Sequence, residues 1–149
     1  MSDDCQIEDA TWPLVVIRAP ERFDAVACQS LMRGLDHVVE RRAVFALLVD
    51  TRRIKQPPNA VERKVLAKWM TDRMASEALY DAGNAVVLTS FAVRAALTAI
   101  HWLRRPVTKH AYVSTCVEGI DWCCERLRER AIPIPASIVT LRARESEAP

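Results

Sequence analysis

Glycine is scarce in this chain. Only Gly34, Gly83 and Gly119 occur in 149 residues, where a usual share would be ~7%. A phosphate cradle needs glycines a few residues apart in one strand-to-helix turn. These three stand far from one another, which excludes a Gly-rich nucleotide loop. Excess charge of one sign is also lacking. Lys plus Arg number 21 and Asp plus Glu 19, a formal net charge of +2. That excludes the strong global field that nucleic-acid binders use. Long apolar runs are missing as well. The longest, Phe91 to Leu103, is interrupted by Arg94, Thr98 and His101, and a spanning helix needs ~20 apolar residues. No integral membrane segment is expected. The opening Met-Ser-Asp-Asp-Cys is acidic and precedes no apolar core, so no secretory signal is expected and the location predicted is cytoplasmic.

Cysteine is present but not in a useful pattern. The five residues Cys5, Cys28, Cys116, Cys123 and Cys124 contain no Cys-x-x-Cys spacing. A zinc site draws about four converging ligands, commonly in close pairs. The neighbours Cys123 and Cys124 would point about 100° apart on a helix. No metal and no cofactor are expected, and the thiols read mostly as small core residues of a reduced protein.

What is present is a globular balance. Half the residues are hydrophobic and 27% are charged, at a length of about one domain. Leu14 to Ile17, between Pro13 and Pro20, reads as a buried strand, with a further edge strand over about 5–10. Asp24 can cap a helix carrying Ala27, Leu31, Leu35, Val38 and Val39. Val44 to Val49 is apolar without alternation, as a strand covered on both faces is. After Pro57-Pro58, Asn59 is a fair N-cap for a helix with Val61, Val65, Leu66, Trp69, Met70 and Met74 on one stripe. Asp81 to Asn84 reads as a turn, and Ala85 to Leu88 as a strand. Ser90 can cap a helix from Phe91 to about Arg104, and Lys109 to Ser114 is a shorter strand. Val117, Ile120, Cys124, Leu127 and Ala131 then follow helical spacing, stopped by Ile132-Pro133-Ile134-Pro135.

Alternating strands and helices predict an α/β fold: one small, mostly parallel sheet of four or five strands with flanking helices. The expected domain is 9–135. Residues 1–8 are an N-terminal segment or edge strand, and 136–149 a mobile tail.

In open α/β sheets, ligands sit beyond the C-terminal ends of the strands. The residues there are Asp50 to Arg53, Thr89 with Ser90, and Ser114 to Cys116. Cys116 stands at a strand-to-helix junction, where a helix dipole can lower a thiol pKa. A cysteine enzyme also needs a base, and His110 is the histidine nearest in sequence. A buried, inert Cys116 is the simpler reading. The helix over 91–104 is apolar nearly all round, with Arg94, Thr98 and His101 in one polar line. Close packing through its alanines explains this, and so does a face left for a partner or an apolar ligand. Basic clusters lack interleaved aromatics of the stacking type, so no nucleic-acid partner is expected.

Several segments together resemble a family. They are Trp12-Pro13-Leu14-Val15-Val16, Leu47-Leu48-Val49-Asp50, Pro57-Pro58 before a long basic helix, and Ala96 through Leu103. The combination resembles bacterial STAS/SEC14-like proteins, in the branch related to the SpoIIAA anti-sigma factor antagonist, over roughly 9–131. The resemblance implies a regulatory or binding module, not an enzyme. In phospho-switching members a Ser in the loop after a strand is phosphorylated. The corresponding stretch here, 52–59, holds no Ser, so that switch is not carried over.

The function expected is a non-catalytic cytoplasmic module that binds a protein partner or a second copy of itself. The alternatives are a carrier of a lipid or small apolar ligand, with a cavity around Trp69, Phe91 and Trp102, and a cysteine-dependent enzyme using Cys116. The residues expected to meet partner or ligand are Arg52, Arg53, Asn59, Trp69, Phe91, Arg94, His101 and Trp102.

Overall fold

A computed structural model describes residues 4–147. Among these, five strands form one sheet in the order β1-β2-β3-β4-β5. They are β1 (Gln6–Glu8), β2 (Leu14–Arg18), β3 (Phe45–Asp50), β4 (Asp81–Val87) and β5 (His110–Val113). β1 runs antiparallel to β2, with Ile7 opposite Ile17. The other pairs are parallel, aligning Val16 with Leu48, Leu48 with Ala85, and Ala85 with Ala111. The chain is thus an α/β protein with one mostly parallel sheet. β2 and β3 carry unbroken apolar runs because both of their faces are covered.

Six helices flank the sheet: α1 (Ala25–Glu40), α2 (Ala60–Asp72), α3 (Met74–Tyr80), α4 (Phe91–Leu103), α5 (Cys116–Glu129) and α6 (Ala136–Glu147). The starts of α1, α2 and α4 follow the caps Asp24, Asn59 and Ser90 read from sequence; Thr115 caps α5 in addition. Asp24 accepts from the Ala27 N–H, Asn59 and Glu62 form a reciprocal capping box, and Ser90 and Thr115 accept from Val93 and Glu118. Each parallel crossover steps one place in the same direction. Right-handed connections therefore put α1 to α4 on one face of the sheet. α5 and α6 cover the other.

The two faces are packed differently. On the α5 side, Leu14, Val16, Leu48, Ala85 and Val87 meet Ile120, Cys123, Leu127, Ile138 and Leu141 in one cluster. α5 lies directly on β3, β4 and β5. Gly119 permits this: a Cβ there would strike Leu48. On the opposite face the apolar residues divide into three smaller clusters. There α2 and α4 pack on each other, and α1, α2 and α4 make few or no close backbone approaches to β2 through β5.

Three expectations need correction. Asp81 to Asn84 is the first half of β4, not a turn. Phe45 pairs with Asp81 and Leu47 with Asn84, so β4 carries one extra residue, a bulge. The Asp81 carboxylate accepts from the Gly83 N–H at 3.0 Å, the local Asx geometry that resembles a turn signal. The helical stripe over 61–74 also breaks, at Arg73, into α2 and α3. Its Val61, Val65 and Met74 are exposed, while Leu66 and Ala67 are buried. Finally, the segment expected as a mobile tail is helical over Ala136–Glu147. It seats Ile138 and Leu141 against α5, and Arg142 pairs with Asp121 at 2.7 Å. Residues 148 and 149 lie outside the described residues.

Candidate ligand cavity

The C-terminal edge of the sheet, where a ligand was expected, is filled by an ion network. Asp50 ends β3 and accepts from Arg52 Nε at 2.9 Å and Arg52 Nη2 at 2.9 Å. Arg18, ending β2, lies 3.4 Å from Asp50 and donates to Glu145 of α6 at 2.9 Å. Burial acts to raise the Asp50 carboxyl. Hydrogen bonds from Arg52, with the charges of Arg52 and Arg18, overcome it and hold the group below the usual carboxylate range. Arg52 Nη2 also lies 3.3 Å from Cys116 Sγ. Burial and the Asp50 charge push that thiol up to about 11, against the pull of Arg52. The His110 ring packs on His101 and Tyr112, at 5.1 and 5.7 Å between centroids, whereas Cys116 belongs to the α5-side cluster. Arg53 lies exposed in the turn after β3, and Asn59 is spent as a helix cap.

The open space lies instead on the α1–α4 face. Because those helices stand off the sheet, a cavity of about 220 Å³ remains between the layers. Its floor is Ile17, Leu47, Val49 and Val86. Leu31 and Leu35 of α1, Leu66, Trp69 and Met70 of α2, and Val93, Ala96 and Ile100 of α4 form the walls. Trp69 is fixed by its indole N–H, which donates to Asp36 at 3.1 Å, and by Arg73 stacked 4.9 Å above its ring.

One end of the cavity is polar. Arg73, Glu77, Asp81, Asn84, His101, Arg104, His110 and Tyr112 line it. Arg104, only 7% exposed, pairs with Glu77 through both terminal nitrogens. Thr108 Oγ1 donates to Glu77 at 3.3 Å and accepts from Asn84 Nδ2 at 3.4 Å. Asp81 is 4% exposed. Burial and the Glu77 charge push its carboxyl up to about 7, opposed by the Gly83 N–H, Asn84 and Arg130. The Tyr112 hydroxyl lies 3.1 Å from His101 Nδ1. Burial, then His110 and Arg104, lower the His101 pKa, and burial raises that of Tyr112. Both are therefore neutral near pH 7 and share one hydrogen bond.

Of the residues expected to bind, Trp69 and His101 reach this cavity. Phe91 and Trp102 do not. They are 92% and 86% exposed, on the outer face of α4, where with Arg63, Lys64 and Arg94 they line a shallow surface groove against α2. α4 thus turns Val93, Ala96 and Ile100 inward and its aromatics outward. The polar cluster of Glu77, Asp81, Asn84 and Arg104 was missed. Its only sequence signal was charge bordering apolar runs, which turns and helix ends share.

No protein-family model, curated protein or solved structure matches the chain. Among the described residues, no helix is long and apolar enough to cross a membrane, and no three His, Cys, Asp or Glu side chains converge on a metal-sized space.

Proposed function

We propose that this chain is a non-catalytic binding module that holds a small apolar molecule between its sheet and α4. The observation that carries the reading is the mainly apolar cavity of about 220 Å³ between the sheet and its helices. The cavity is concave, partly open to solvent and lined mainly by apolar side chains, the form small-molecule sites take. Water is a poor filler for the apolar part, because it needs polar partners and such cavities stay dry. The space exceeds the ~150 Å³ of an apolar cavity that takes up benzene, so a one-ring or short-chain molecule fits. Native mass spectrometry of protein purified without detergent tests this. An added mass that disappears on denaturation is expected. Bare protein whose melting temperature does not respond to small hydrocarbons would contradict it.

The outer face of α4 favours a second reading, that the module also meets a protein partner or a second copy of itself. Exposed Phe91 and Trp102 beside a basic rim support it. The one structural feature that agrees with the STAS-like resemblance is a small sheet flanked by helices, a feature shared by folds of many functions. Five buried free thiols support a cytoplasmic location.

A further inference from the structure

We propose that the groove between α2 and α4 receives an acidic amphipathic helix of a partner protein. This rests on the reading of the outer α4 face as an interface and names the chemistry of the partner.

The spacing of residues on α4 is the first ground. The helix carries two seams. Val93, Ala96 and Ile100 are buried on the inward side. Phe91, Ala95, Thr98 and Trp102 follow a 4-3-4 spacing and are all exposed, the pattern by which one helix packs along another. These four line the groove. The middle of the outer seam is small, and Ala99 with Ala60 of α2 extends that small-residue floor. The Thr98 hydroxyl is already bonded to the Arg94 carbonyl at 2.9 Å. Large rings thus stand at both ends of a shallow trough. At ~1.5 Å per residue they lie about 16 Å apart along the axis, some three turns of a guest helix. A bilayer surface would reach the rings and leave the floor between them unfilled.

Charge is the second ground. Arg63 and Lys64 of α2 and Arg94 of α4 line the same groove, and among the described residues no carboxylate does. Arg63 donates to the Pro58 carbonyl and Arg94 lies over the Tyr112 ring. Two copies placed groove to groove would set three cations against three. A partner helix with carboxylates flanking an apolar stripe complements them instead. Such a helix laid in a groove is a recurring mode of peptide recognition.

The test uses the full chain and a helical peptide of Leu, Ala and Glu, about 15 residues or ~22 Å long. Its leucines repeat the 4-3-4 spacing, with glutamates on either side. Binding is read by fluorescence anisotropy of the labelled peptide. It is expected to bind about tenfold tighter than a scrambled peptide of the same composition or one with Lys for Glu, and to weaken as salt is raised. Ala95→Glu, at an exposed position, should abolish binding with the melting temperature kept. Lys64→Glu should weaken it severalfold, and the wild-type series decides the question even if a variant does not fold. Equal binding of the scrambled or the Lys peptide would overturn the proposal. Dimerisation of the pure protein without peptide binding would overturn it too, with the interface reading left standing. So would binding only to vesicles of phosphatidylcholine and phosphatidylglycerol, in favour of a membrane. A monomer that binds neither peptide nor vesicle would overturn both.

Discussion

Gly119 of α5 lies so close to Leu48 of β3 that a Cβ would collide with the leucine methyl group. This contact sets the distance between helix and sheet on the closed face. On the opposite face the one comparable approach is at the sheet edge, where Gly34 of α1 lies against Ile7 of β1; over β2 to β5 the helices stand off, and the cavity lies there. Gly119→Ala should therefore destabilise the fold by about 1–3 kcal/mol through overpacking. Chemical denaturation checks it, and an unchanged midpoint would mean that α5 does not sit this close.

Ala96 is buried on the inward face of α4 and lines the cavity. A larger side chain there occupies space that is otherwise unfilled. Ala96→Leu should stabilise the protein by about 0.5–2 kcal/mol, the usual return of cavity filling, and abolish binding of small hydrocarbons. Thermal melts with and without ethylbenzene read both effects. Destabilisation would show that the space is already occupied by protein.

Asp81 gives the cavity a pH dependence. Its carboxyl stands at about 7 in the folded chain, against an ordinary 3.8. The native state then holds a proton that the unfolded state has lost. Stability from this group is fully present below the ordinary value and declines as pH rises through about 7. The groups facing it are Glu77, the Gly83 N–H, Asn84 and Arg130. Asp81→Asn keeps an acceptor for Gly83 and removes the titration. The variant should melt higher than wild type at pH 8, with a smaller difference at pH 5. Parallel curves would rule this account out.

Phe91 and Trp102 are exposed on the outer face of α4. Replacing either with Ala should change stability by no more than about 0.5 kcal/mol and leave hydrocarbon binding intact. A loss of several kcal/mol would mean that these rings are core. If the same variants alter sedimentation of the pure protein, the outer face is a self-association surface.

The sheet was legible because β2 and β3 are unbroken β-branched and aliphatic runs, and the helix starts because Asp24, Asn59 and Ser90 precede apolar periodicity. α3 was not legible, since Met74 continues the spacing of Met70 across Arg73. The last helix was hidden by its charges. Arg142 and Glu145 read as solvated tail residues, yet they pair with Asp121 and with Arg18, far back in the chain. Cys116 was correctly located at a helix start, but its neighbours, Asp50 and Arg52, come from another strand. The cavity has no sequence signature. Val86, Ala96 and Ile100 are ordinary core residues by pattern, and only the distance between helix and sheet makes them a lining.

That distance is open to direct observation. In a crystal of the protein pressurised with xenon, anomalous density should appear between β4 and α4, within contact of Val86, Ala96 and Ile100. No xenon there, with α4 packed directly on the sheet, would contradict the presence of a ligand chamber.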